Sequence, residues 1–285
     1  MASASRVVLP ADTNQALGLG QFAVDFMNGP AGVRGEPDRA VLERTEMFHT
    51  DAVLCGVSAL ALGTNAPTIL RREALASRVA PSGWGTLGGV IGGERHPVRR
   101  AGATVFGSSD DCLVEKAIAA NCAAVREWDS NGTNFGYSAQ REHHRAGEFG
   151  HNDFYAVPIA AARMMGRDGE YALRAMVLLD EIRGRLAEVF SLKTYKIDHV
   201  VHGAIGSAAT FGAIMGASPQ DIEHAIGMFV AHHIPFRAIR HGHQLSDSKG
   251  ASAAISTEAA ILCMKRAMAG FVGPKDIFRN PEAVF

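Results

Sequence analysis

From Val200 to Met215 the chain carries no Asp, Glu, Lys or Arg. The run is made mostly of Ala, Gly, Val, Ile and Phe, and Asp198-His199 precede it. A helix that offers water no charged face has to be covered on all sides, so this segment predicts a central buried helix. It is shorter than the roughly 20 residues a membrane crossing needs, and no run of about 18 apolar residues without a charge occurs elsewhere. The rest of the chain must therefore supply the cover.

Helical periodicity supplies it. A helix is expected from Asp38 to about Leu62, with Val41, Phe48, Leu54, Val57 and Ala61 as its buried stripe. Leu113 to Trp128 reads as a second helix that delivers Asp129 just past its end. Phe154 to Met165 and Tyr171 to Phe190 read as two more, separated by Gly166 and Gly169. Ser218-Pro219-Gln220-Asp221 has the composition of a helix start: a serine cap, proline at the first helical position and an acid in the first turn. Pro235 interrupts that helix, a polar loop follows, and Ala251 to Ala269 forms a long Ala-rich helix. Residues 81–108 hold eight glycines and two prolines and read as loop with a short extended segment. They lack the G-x-G-x-x-G spacing of a phosphate loop and suit a mobile connection or a dimer-contact loop. With no repeat or sheet pattern, the expectation is an all-α fold, a single helical domain over residues 1–285.

Composition narrows the function. A net charge of −1 argues against nucleic acid or an anionic membrane as partner. Cys55, Cys112, Cys122 and Cys263 are dispersed without a C-x-x-C pair, which suits neither a zinc site nor a disulfide framework. The first residues lack the basic and apolar regions of a signal peptide, so a cytoplasmic location is expected.

The chemistry-bearing residues concentrate between Asp129 and Lys249. Asp129-Ser130-Asn131-Gly132-Thr133 follows a buried helix, and Glu148-Phe149-Gly150-His151 precedes another. Asp198-His199 opens the buried helix, and Arg240-His241 is followed by a Gly/Ser/Asp loop ending at Lys249. His143 and His144 fall in a polar loop. Imidazoles titrate near neutrality, so histidines beside an aspartate and a lysine suit proton transfer next to carboxylates. Cations with backbone donors suit a substrate carboxylate. His151, His199, His241 and Asp129 lack the spacing of metal ligands on a helix, and no cofactor motif occurs, so neither metal nor organic cofactor is expected. No strand–G-x-S-x-G–helix context supports a serine hydrolase.

The order and spacing of these motifs resemble the large helical domain of the MmgE/PrpD family, which includes 2-methylcitrate dehydratase, cis-aconitate decarboxylase and iminodisuccinate epimerase. Asp51-Ala52-Val53-Leu54-Cys55-Gly56, the helix leading to Asp129 and Thr133, Gly150-His151, Asp198-His199-Val200, and Arg240-His241 with Lys249 carry the resemblance, over roughly residues 15–280. By it, Asp129, His151, His199 and Lys249 take catalytic positions, and Thr133, Arg240 and His241 bind substrate. The resemblance implies a lyase of the dehydratase kind acting on a small di- or tricarboxylate. An epimerase, a decarboxylase or a non-catalytic subunit on the same scaffold are the alternatives. In the turn after Asp129, where the family usually carries further acids, this chain has Ser130, Asn131 and Gly132. The resemblance also implies a homodimer, and a smaller α/β domain closing the cleft, expected here as a separate subunit.

Overall fold

The computed structural model describes residues 12–80, 100–130, 132, 152–190, 192–240 and 246–283, and the backbone alone of 89–91, 94–96 and 151. Among them the helices in chain order are α1 (Gln15–Asn28), α2 (Arg39–Ala61), α3 (Asn65–Ala76), α4 (Val114–Arg126), α5 (Ala156–Met164), α6 (Gly169–Val189), α7 (Val200–Met215), α8 (Pro219–His232), α9 (Asp247–Gly250) and α10 (Ser252–Met268). Two three-residue strands, β1 (Gly89–Ile91) and β2 (Glu94–His96), pair antiparallel with Gly89 opposite His96. They fall where the glycine-rich segment predicts a short extended stretch. The architecture is otherwise all-α.

Every residue of α7 is buried. The helix packs against α1, α5, α6, α8 and α10. Its close approach to neighbours depends on small residues: a Cβ placed on Gly203 would lie 2.1 Å from Cζ of Phe154. Gly216 ends the helix in the left-handed region at φ 81°, where a side chain would clash with the backbone. The α8 start is a reciprocal cap. Ser218 Oγ accepts from the Asp221 N–H at 3.1 Å, and Asp221 Oδ2 accepts from the Ser218 N–H at 3.0 Å.

The expected face of α2 is the wrong one. Val41, Leu54 and Val57 are exposed, at 43%, 65% and 51%, while Thr45, Ala52, Gly56 and Ala59 face inward. The cause is distance between backbones. The Phe106 ring lies against Gly56, where a Cβ would meet its Cε2 at 2.8 Å, so only small residues fit on that side. Periodicity weighted by large apolar residues selects the opposite stripe. No single helix among the described residues is long and apolar enough to cross a membrane.

Candidate active site

The last turn of α4 begins the site. Arg126 is 5% exposed, and its guanidinium reaches Oδ1 of Asp129 at 2.6 Å and Oδ2 of Asp153 at 3.4 Å. Asp129 sits three residues beyond Arg126 in the left-handed region at φ 53°. Aspartate tolerates that conformation better than most residues, and here it lets the chain double back, with the Asp129 N–H donating to the Arg126 carbonyl at 2.9 Å. Asp153, 3% exposed, belongs to the 3-10 turn His151–Phe154, so Arg126 ties the end of α4 to that turn.

A second tie comes from α2. Asp51 Oδ2 accepts from the Gly132 N–H at 3.1 Å and lies 3.5 Å from Asn152 Nδ2, which donates to the Phe48 carbonyl at 2.8 Å. The aspartate that the resemblance singled out in α2 therefore ties together two points of the chain: Gly132 after α4, and Asn152, the residue following His151.

Lys249 enters from α9. Its ammonium donates to Asp129 Oδ2 at 2.8 Å, with the lysine side chain 31% and the aspartate 41% exposed. Position 249 is held by neighbours on α9, since Asn65 Nδ2 donates to Asp247 Oδ2 at 2.6 Å. The sequence places Lys249 at the start of the long helix that follows. In the structure it lies within the separate short helix α9 instead. Burial pushes the Asp129 carboxyl up, but the Lys249 hydrogen bond and the charges of Arg126, Lys249 and Arg240 outweigh it and hold the group below the usual carboxylate range.

The foot of α7 carries the other ion pair. Asp198 is fully buried and Arg240 grips it by two edges: Nε on Oδ2, and Nη2 on Oδ1 at 3.1 Å. The Val200 N–H donates to Oδ1 at 3.1 Å. Arg240 arrives there because 196–198 runs antiparallel to 235–237. The Asp198 N–H donates to the Pro235 carbonyl at 3.0 Å, and the Arg237 N–H to the Lys196 carbonyl at 2.7 Å. His199, 8% exposed, has Nδ1 3.6 Å from Asp198 Oδ1. Burial would raise the Asp198 carboxyl, yet Arg240, His199 and the Val200 N–H hold it low.

Of the residues selected from sequence, Asp129, Lys249, Arg240 and His199 thus gather in one region, with the Arg240 charge acting on both Asp129 and Asp198. Only the backbone of His151 is described, in the turn that Arg126 and Asp51 brace. Thr133 and His241, with His143 and His144, lie outside the described residues. Sequence reasoning missed Arg126 and Asp153. The available signal was a basic residue in the last turn of an apolar helix, three positions before the aspartate.

A cavity of about 250 Å³ lies elsewhere, between α2, α4, α5 and residues 104–108. It shares no lining residue with the charged cluster, and its polar groups are largely committed. Asn121 is spent on Phe106 and Thr104, Arg163 reaches Thr104 Oγ1, and the Tyr155 hydroxyl donates to Asp180. The charges at Asp129, Lys249, Asp198 and Arg240 are the better mark of chemistry, because cations and carboxylates held together from distant segments can act on a charged substrate.

The conserved-domain model described as the MmgE/PrpD N-terminal domain matches residues 33–285, which covers both ion pairs and the helices that position them. The chain belongs to the MmgE/PrpD family.

Proposed function

We propose that this cluster forms the charged floor of a cofactor-independent lyase site for a small di- or tricarboxylate. The observation that carries the reading is the convergence of Lys249 and Arg240 beside Asp129 and the Asp198–His199 pair. Family membership supports it, since dehydratases belong to the same family. The residue roles follow from what each group has left to give.

Lys249 spends one ammonium hydrogen on Asp129, which leaves two donors for a substrate carboxylate on its partly open side. A fixed cation there stabilises the enolate-like charge that develops when a proton leaves the adjacent carbon. Arg240 commits its Nε hydrogen and one Nη2 hydrogen to Asp198, so a substrate carboxylate would be met by its remaining Nη hydrogens. Asp129, held ionised between two cations, is a weak base. Proton abstraction falls instead to a histidine, His151. As the C–H bond breaks, its electron pair becomes the new C=C bond and the C–O bond at the β-carbon breaks. His199 protonates the departing hydroxide, giving water. Thr133 and His241 complete the contacts to substrate.

The test is turnover of a panel of hydroxy di- and tricarboxylates in deuterated buffer, followed by ultraviolet absorbance and proton NMR. The expected product is an alkene, lost in Lys249→Ala. Exchange of the α-proton without alkene would move the reading to epimerisation, and release of carbon dioxide to decarboxylation. Absence of any turnover, with no saturable carboxylate binding, would overturn it.

A further inference from the structure

We propose that Arg126 is a positioning residue: its buried guanidinium fixes the Asp129 carboxylate, which in turn aims the Lys249 ammonium at the substrate. The catalytic consequence rests on the lyase reading above; the positioning itself does not.

Three observations carry the inference. The first is a relay of short contacts across three elements: Arg126 to Asp129 at 2.6 Å, then Asp129 to Lys249 at 2.8 Å. The two carboxylate oxygens of Asp129 are divided between them, Oδ1 to the guanidinium and Oδ2 to the ammonium. With both oxygens held, the carboxylate has no free rotation, and the lysine at the far end has a fixed partner.

The second is burial. The Arg126 side chain is 5% exposed, Asp129 is 41% and Lys249 is 31%. The anchor is buried and both groups beyond it are partly exposed, so the rigid end of the relay is inside the protein and the lysine end is open to solvent. A long lysine side chain carries large rotamer entropy, and an exposed lysine paired with an exposed aspartate is weakly ordered. Anchoring the aspartate to a buried group reduces that freedom before substrate arrives.

The third is the second ligand of Arg126. Asp153, 4% exposed at its side chain, lies 3.4 Å from Nε and balances the guanidinium charge. This carboxylate belongs to the same 3-10 turn as His151, so a single guanidinium sets the spacing between that turn and Lys249. A lysine at position 126 could keep one contact but not a fork to both carboxylates. Among the described residues, the charged groups that act on Asp129 are Arg126 on α4, Lys249 on α9, and Arg240 ahead of α9.

Removing Arg126 alone takes the guanidinium away from the buried Asp153 carboxylate, so the informative variant is Arg126→Gln with Asp153→Asn, beside Arg126→Lys. Carbon-13 NMR of the Asp129 carboxyl and the Lys249 side chain is recorded against pH without substrate. In the double variant the Asp129 carboxyl is expected to titrate at higher pH, and the Lys249 signals to broaden or average. Arg126→Lys should retain the low carboxyl titration and only part of the lysine order. With substrate, kcat is expected to fall about tenfold or more, the loss of one charge-assisted hydrogen bond, with a smaller change in KM. Unchanged Asp129 titration and unchanged Lys249 signals in a folded double variant would overturn the proposal. Because the titration needs no turnover, it decides the positioning role even if the lyase reading fails.

Discussion

Two ion pairs a short way apart do different work. Asp198–Arg240 sits at the foot of the buried helix, with the carboxylate at 0% exposure and the guanidinium side chain at 11%. Asp129–Lys249 sits at the rim, at 41% and 31%. The inner pair is bidentate and backed by the Val200 N–H, so it fixes the backbone around His199. The outer pair has one hydrogen bond and water on one side. Burial turns the first into a structural clamp, whereas partial exposure leaves the second with lysine donors open to a substrate carboxylate beside the bond to Asp129.

The largest test of that contrast is Arg240→Ala. It leaves Asp198 charged and buried without its cation, and unfolding in urea is expected to show a loss of about 3–5 kcal/mol. A loss below about 1 kcal/mol would erase the distinction between the pairs.

Asp180 shows what burial does when no guanidinium grips the carboxylate. Oδ2 accepts from the Tyr155 hydroxyl at 2.6 Å, while Oδ1 is sealed from solvent without a hydrogen-bond partner among the described residues. Burial pushes this carboxyl up to about 7. A folded pKa above the unfolded value means that the penalty is absent below about pH 4 and grows as pH rises towards 7. Asp180→Asn is therefore expected to stabilise the protein by about 1–2 kcal/mol at pH 8 and to change little at pH 4. For Asp198 and Asp129 the sign is opposite. Their contribution is present above about pH 4 and lost as pH falls through their lowered folded values, so acid unfolding should begin below pH 4 and shift in Asp198→Asn.

Lys249→Ala should cost less than about 1 kcal/mol, because the pair is partly exposed and screened by water. The same variant is expected to lose about a hundredfold or more in lyase turnover. A large stability loss with retained turnover would reverse the assignment of the two pairs. The smallest effect is expected at Leu54→Ala on α2, within about 0.5 kcal/mol by thermal melting, since this leucine is 65% exposed.

Much of the helical layout was legible. The uncharged run marked α7 from end to end, and Ser218-Pro219 marked the start of α8. α1 and α3 were not anticipated from the sequence. The buried side of α2 was misread because Ala, Gly and Thr contribute little to an apolar pattern, though they decide how near two backbones come. At the site, Asp129, His199, Arg240 and Lys249 were legible as residue types that suit acid–base work on carboxylates. Arg126 and Asp153 were not, because an arginine at a helix end looks the same in sequence whether it is solvated or buried.

By itself the sequence determined that the chain is helical around one uncharged segment, and that histidines, aspartates and cations collect between positions 129 and 249. Helix periodicity and charge are properties of neighbouring residues, and they can be read locally. Only the tertiary structure decided the pairing: that Arg240 closes on Asp198, that Lys249 reaches back 120 positions to Asp129, and that Arg126 stands behind it. Pairing depends on distance and burial between remote segments, because a charge's partner and its solvent set its energy far more than its place in the chain.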